Sequence, residues 1–278
     1  MVAARVARAG GTLSADVKAL RSGAIDEAEF VRRIAPYAVH EVGEVAKVDT
    51  GRHSRTGVPE AVLAEGKDDA TLAAVVRAGV AHSGRCLITR LSPSRAQKLA
   101  RALKGATLEI HARERVAVAH DGRTPRPHTR GKVAILTAGS SDLRAAGEAR
   151  LTAEELGCEV LFFADVGVAG IHRLFPAIRA IEEAGTHAVI VAAGMDGALP
   201  SVVGGLVAVP TIGLPISTGY GVGGKGEAAL FAILQSCAPG VAAVNVDNGY
   251  GAGVLAAKIA NTAAAQTGRT ARVRARKA

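Results

Sequence analysis

The sequence predicts an α/β protein of two domains, in which a doubly wound parallel sheet follows a smaller α/β domain. Three observations predict it. Hydrophobic residues make up 49% of the chain but aromatics only 3%. The core must therefore be built from Ala, Val, Leu and Ile, which suit helices packed on a parallel sheet. From Lys132 onward, apolar runs at 133–137, 160–163, 188–193, 211–214 and 241–246 alternate with helix-length segments, the pattern of parallel strands joined by crossovers. Finally, 278 residues fit two domains at about 100–200 residues each.

Element by element, residues 1–43 read as a helical hairpin. Leu13, Val17 and Leu20 keep helical spacing, Gly23 breaks it, and Asp26 with Glu29 restarts it as a capping box. An extended 44–48, an apolar 61–63, a helix over 69–82, a strand over 86–91, a helix after Ser92-Pro93 and strands at 107–111 and 116–119 complete a first domain, 1–120. Residues 121–131, with Pro125, Pro127 and no apolar period, read as a linker. The sheet domain spans 132–267, and 268–278 reads as a disordered basic tail.

Composition excludes several classes of function. The formal net charge is +9, but Arg269, Arg272, Arg274, Arg276 and Lys277 supply five of those charges from the acid-free tail. No aromatics are interleaved there for base stacking, so no nucleic-acid partner is expected, and the remaining charge suits an anionic small substrate. The cysteines Cys86, Cys158 and Cys237 are odd in number, widely spaced and without a CxxC, which points to a reducing compartment and no zinc site. Near the N-terminus Arg5 and Arg8 are followed by Gly10, Gly11 and Thr12 before any apolar signal run forms, and no 18-residue apolar run occurs. A cytoplasmic protein with no membrane partner is the expectation.

Ligands of open α/β sheets bind beyond the carboxyl ends of the strands, so the segments after each apolar run are the places to search. Ser140, Ser141 and Asp142 follow the first run in a small turn whose hydroxyls and N–H groups can hold a phosphate or cap a helix. Asp165, His172 and Arg173 surround a glycine-rich turn after the second. After the third, Gly194, Met195, Asp196 and Gly197 place a carboxylate between glycines, suited to a general base or to a helix cap. The fourth run opens into a loop with Tyr220 and Gly221, where Gly219 to Gly224 fits GxGxxG and Asp247 lies downstream. That fingerprint belongs to the first βα turn of a sheet, so a substrate-covering loop is the better reading. Asn245, Asp247 and Asn248 form a polar set after the fifth. Cys237 precedes that run and by itself reads as a packed thiol.

Taken together, the motifs Thr137 to Asp142, Asp165 to Leu174, Ala193 to Leu206, Gly219 to Gly221, Ser236 to Ala238 and Asn245 to Gly249 resemble the LarB-type carboxylase/hydrolases of nickel-pincer nucleotide synthesis. The second half is also similar to the PurE-type aminoimidazole ribonucleotide carboxylases, which implies a flavodoxin-like (PurE-like) sheet. Val48-Asp49, Arg52, Arg55, Gly57, Pro59-Glu60 and Gly66-Lys67 resemble the LarB type alone.

The resemblance implies carboxylation of the pyridinium ring of nicotinic acid adenine dinucleotide by carbon dioxide or bicarbonate and hydrolysis of its phosphoanhydride. It implies Cys237 as transient nucleophile and Asp196, where the family uses glutamate, as the acid that directs water. Substrate contacts are expected from Ser140, Ser141, Asp142, Asp165, His172, Gly194, Met195, Gly197, Tyr220, Gly221, Asn245, Asp247 and Asn248, with Asp49, Arg52 and Arg55 from the first domain. No organic cofactor is implied, but a divalent metal, magnesium, near the substrate phosphates is. A homo-oligomer, an octamer, with sites near subunit interfaces completes the expectation. The alternative is an aminoimidazole ribonucleotide carboxylase or mutase of purine synthesis.

Overall fold

The structure, a computed structural model, describes residues 13–275, with side chains to 266 apart from that of Pro36. Arg5 and Arg8, and Arg276 and Lys277 of the basic tail, lie outside the described residues. The chain divides into two compact units, one of 13–88, 94–109 and 118–124, the other of 89–93, 110–117 and 125–275.

The first unit opens with helices α1 (Leu13–Arg21) and α2 (Glu27–Ile34). Asp26 Oδ1 accepts the Glu29 N–H at 2.7 Å, and Arg33 joins the two helices by bonding Asp16 at 3.1 Å. Where the sequence predicts one extended segment over 44–48, the chain forms a hairpin of β1 (His40–Val42) and β2 (Ala46–Val48), turned at Gly43 with φ 55°. The short helix α3 (Arg52–Thr56), too brief to show periodicity, ends at left-handed Gly57. Then follow β3 (Ala61–Leu63), α4 (Asp69–Ser83), β4 (Arg85–Thr89), α5 (Pro93–Ala102), β5 (Thr107–His111) and β6 (Val116–His120), with sheet order β3-β4-β6-β5, the stretch 110–117 of the last two strands and their turn being counted in the second unit. Helix α4 buries Leu72, Val75, Val76 and Val80, each contributing about 1.5–3 kcal/mol.

The second unit alternates strand and helix: β7 (Lys132–Thr137), α6 (Leu143–Glu155), β8 (Glu159–Phe163), α7 (Leu174–Glu183), β9 (Ala188–Ala193), α8 (Leu199–Gly204), β10 (Thr211–Pro215), α9 (Glu227–Leu234), β11 (Val241–Ala243) and α10 (Gly249–Ala275). Every pairing in the order β11-β10-β9-β7-β8 is parallel. Read from β8, this is the 2-1-3-4-5 order of a flavodoxin-like sheet. Central β9 is buried at all six positions, as a strand covered on both faces must be. Helix α10 lies closely on α6 through Gly249 and Gly253, where an added Cβ would stand 2.2 and 2.5 Å from the Ala145 and Ala149 carbonyl oxygens.

Two elements of this unit differ from the sequence reading. Strand β11 stops at Ala243 rather than 246 because Asn245 and Asp247 turn the chain. The backbone of 268–275, read as a disordered tail, continues α10, since the Ala-rich segment before it carries the helix outward. Among the described residues no helix is long and apolar enough to cross a membrane.

Candidate functional site

Backbone strain marks the carboxyl rim of the parallel sheet. Besides Arg90 and Arg115, the described residues that hold left-handed conformations without being glycine are Asp165 (φ 58°), Met195 (48°), Lys225 (61°) and Asp247 (53°). They lie in the segments after β8, β9, β10 and β11 respectively. Each costs on the order of 1 kcal/mol, and such strain collects where loops are shaped for a ligand.

The rim is built turn by turn. After β7, a 3₁₀ turn over Ser140–Asp142 leaves Ser140 and Ser141 exposed. Asp142 is only 2% exposed; its Oδ2 accepts the Gly139 N–H at 2.8 Å and its Oδ1 the Ser141 hydroxyl at 3.2 Å. Burial pushes its carboxyl above the ordinary range, opposed by those hydrogen bonds. Its carboxylate is thus occupied in shaping the turn that presents the two serines.

After β8, the Asp165 N–H bonds the Thr137 hydroxyl at 3.0 Å and its carboxylate meets Arg173 at 2.6 Å. Gly167 closes the turn onto β7, where a Cβ would stand 2.4 Å from the Ala138 oxygen. His172 is exposed in the 3₁₀ turn Val168–Arg173.

After β9, Gly194 passes the Thr218 carbonyl, and Gly197 has φ 62° with α9 against it. Between them Met195 and Asp196 are exposed, and Asp196 Oδ1 accepts the Ala198 N–H at 3.3 Å in the turn leading to α8. The N-cap of α8 is Ala198, with no side-chain cap hydrogen bond, so the helix-cap role open to Asp196 from sequence is not taken up and its carboxylate is left exposed. The loop after β10 holds exposed Tyr220 and Gly221, and a Cβ added at Gly219 would stand 3.5 Å from the Met195 nitrogen. After β11, Asp247 Oδ1 accepts the Ser217 N–H at 3.0 Å, and its Oδ2 accepts the Ser217 hydroxyl and lies 3.7 Å from Arg144. Asp247 therefore ties the β10 and β11 loops together. Asn248 accepts the Gly251 N–H at 2.8 Å and caps α10, while Asn245 bonds the neighbouring Val246 N–H.

Ser217 and Arg144 escaped the sequence reading as partners of the site. The signal for Ser217 was its place two residues beyond a buried strand end; Arg144 carried none beyond its neighbourhood to Asp142.

Ser236, beside Cys237, shares a 2.8 Å hydroxyl hydrogen bond with Ser201 of α8. Cys237 follows α9 and precedes β11, whose first residue pairs with Thr211 at the start of β10. It is the exposed thiol of the three, whereas burial pushes Cys86 up to about 12 and Cys158 up to about 11. Beside it on α9, Phe231 and Leu234 are more than half exposed.

In the first unit, Arg52 and Arg55 lie on α3, Asp49 carboxylate oxygens accept from the Arg55 guanidinium, and the Asp49 N–H bonds Glu60. A cavity of about 20 Å³ beside Asp49, His53, Glu60 and Cys86 has room for one water. Among the described residues no group of three or more His, Cys, Asp or Glu is arranged to hold a metal ion.

Comparison with known proteins accords with this architecture. Residues 132–277 match the AIR carboxylase family and residues 39–120 the LarB/PurE-like N-terminal domain. An uncharacterized protein of Methanocaldococcus jannaschii is 40% identical over 247 residues, 87% of this chain and 94% of its own. The N5-carboxyaminoimidazole ribonucleotide mutase of Thermotoga maritima is 32% identical over 135 residues, 46% of this chain and 74% of its own. A crystal structure of a Treponema denticola PurE2 variant aligns with a TM-score of 0.40 at 21% identity, covering 52% of this chain and 92% of that one. The chain belongs to the AIR carboxylase family, in the LarB-type form that carries a LarB/PurE-like N-terminal domain ahead of the sheet.

Proposed function

We propose that the protein carboxylates the pyridinium ring of nicotinic acid adenine dinucleotide and hydrolyses its phosphoanhydride, giving pyridinium-3,5-biscarboxylic acid mononucleotide and AMP. The observation that carries this reading is the exposed Cys237 in a chain whose other two thiols are buried and held protonated. A pyridinium ring is too electron-poor to attack carbon dioxide. Addition of the Cys237 thiolate at the carbon para to nitrogen makes part of the ring an enamine, whose neighbouring carbon then forms the new bond to carbon dioxide. Loss of the proton at that carbon and expulsion of the thiolate restore aromaticity, so the thiol is regenerated.

Asp196 directs water at the phosphoanhydride in this reading, with Ser140 and Ser141 holding phosphate oxygens. Aspartate is one methylene shorter than the glutamate of the family pattern, so it reaches the phosphorus through a second water or a closer loop. Magnesium fits as a cation carried by the substrate's own phosphate oxygens, since among the described residues no group of His, Cys, Asp or Glu forms a cage. The reading also includes a homo-oligomer, in which one copy brings Cys237 to the rim of another. The exposed Phe231 and Leu234 are an apolar surface suited to that contact.

The test is mass spectrometry after incubation with the dinucleotide, bicarbonate and magnesium. AMP and a mononucleotide with one added carboxylate are expected from the native chain and neither from Cys237→Ala. Turnover of an aminoimidazole ribonucleotide instead, unaffected by Cys237→Ala, would replace this reading with the purine one, which the Thermotoga maritima mutase favours.

A further inference from the structure

Beside the rim, a cavity of about 190 Å³ is lined by Arg113, Glu114, Leu143, Gly147, Arg150 and Phe162, all of the second unit. Cavities of about 150 Å³ take up benzene-sized rings, so this one has room for a ring system. It exists because 110–117 comes close to α6. At Gly147 an added Cβ would stand 2.3 Å from Glu114 Cγ, so any side chain there would displace the wall.

The walls divide by chemistry. Phe162, on edge strand β8, offers an aromatic face, and the Arg150 guanidinium carbon lies 5.8 Å from its ring centre. Arg150 is placed by Glu114 at 3.9 Å and Glu154 at 3.8 Å, both beyond hydrogen-bond length, so its donors are oriented but not consumed. Glu114 offers a carboxylate that accepts from an exocyclic amine. Arg113 is exposed and, among the described residues, makes no ion pair shown by the structure. Leu143, the apolar end of the cavity, directly follows the turn that presents Ser140 and Ser141.

An aromatic face, an amine acceptor and a spare cation, set one turn from two exposed hydroxyls, describe a receptor for a purine nucleotide. We infer that this cavity takes the adenosine monophosphate half of the dinucleotide, with the base against Phe162 and Arg150, its amine on Glu114 and its phosphate between Arg113 and Ser141. The inference rests on the dinucleotide reading above and deepens it by assigning the leaving half of the substrate a place of its own. AMP formed by hydrolysis then remains bound, and its release precedes the next turnover.

The experiment titrates the full chain with AMP and, separately, with nicotinic acid mononucleotide by calorimetry. Phe162→Ala is expected to weaken AMP about tenfold, the loss of one stacking face, and Arg113→Ala by about threefold, with mononucleotide affinity within twofold of native. Arg113 is exposed, so its variant probes the site without disturbing the core. In turnover, Phe162→Ala raises KM for the dinucleotide and leaves kcat unchanged. Unchanged AMP affinity in both variants, equal weakening of AMP and mononucleotide, or simultaneous binding of AMP and dinucleotide would each overturn the assignment. A native chain that binds AMP with these losses yet turns over no dinucleotide would keep the subsite and overturn the reading it rests on.

Discussion

Gly197→Ala separates steric contact from backbone strain at the rim. Gly197 has φ 62°, and a Cβ there would stand 2.7 Å from both Cα and O of Ala229 in α9. Left-handed strain costs an alanine about 1 kcal/mol, and forcing α9 outward adds about 1–3 kcal/mol, for a total of roughly 2–4 kcal/mol. Gly185→Ala is the matched control, because Gly185 has φ 64° in the same unit and nothing within 4 Å of its Cβ position. It carries the strain alone, and the entropy lost from the unfolded chain is common to both. At about 2–4 °C per kcal/mol, Gly197→Ala lowers the Tm of the second unit by on the order of 5–15 °C and Gly185→Ala by a few degrees. Thermal unfolding followed by circular dichroism gives both numbers. Equal shifts would show that α9 yields without cost and would refute the packing argument; a larger shift from Gly185→Ala would refute the strain argument as well.

Four further outcomes are expected. Under native conditions a thiol reagent modifies Cys237 rapidly and Cys86 and Cys158 only on unfolding, so Cys237→Ser abolishes the fast phase of thiol titration. Cys237→Ala and Asp196→Asn chains, each inactive in AMP release, regain activity when co-expressed but not when mixed as preformed assemblies, as read by AMP yield. Burial raises the Glu148 carboxyl above its ordinary 4.5, with the Tyr250 and Gly249 N–H groups in partial opposition. Its contribution to stability is thus fully present below 4.5 and is lost as pH rises through the elevated value, so the native chain loses ground to Glu148→Gln over that interval in denaturant titrations. Asn248→Ala removes the cap of α10 and costs about 1 kcal/mol by the same measurement.

The sheet was legible because its strands are buried on both faces and read as unbroken aliphatic runs, as 188–193 shows. The hairpin at His40–Val42 and Ala46–Val48 was not, since three-residue strands carry too little alternation to show a period. Of the rim, the rule that ligands meet strand ends found Asp165, Asp196 and Asp247 before any coordinates. It could not find Ser217 or Arg144, which meet Asp247 only through folding, nor the wall at Glu114, because a glycine at 147 reads in sequence merely as a weak helix former. Asp142 was legible as a polar turn residue, but its burial was not.

The left-handed residues of the rim bear on how this protein tolerates change. Glycine at 165, 195, 225 or 247 would relax each turn, and a search for higher melting temperature alone would accept all four. Those same substitutions would remove Asp165 from Arg173 and Asp247 from Ser217, leaving loops free to wander where they are now held. Thermal robustness and a poised rim therefore pull this sequence in opposite directions, and a hardened variant is expected to be the slower catalyst.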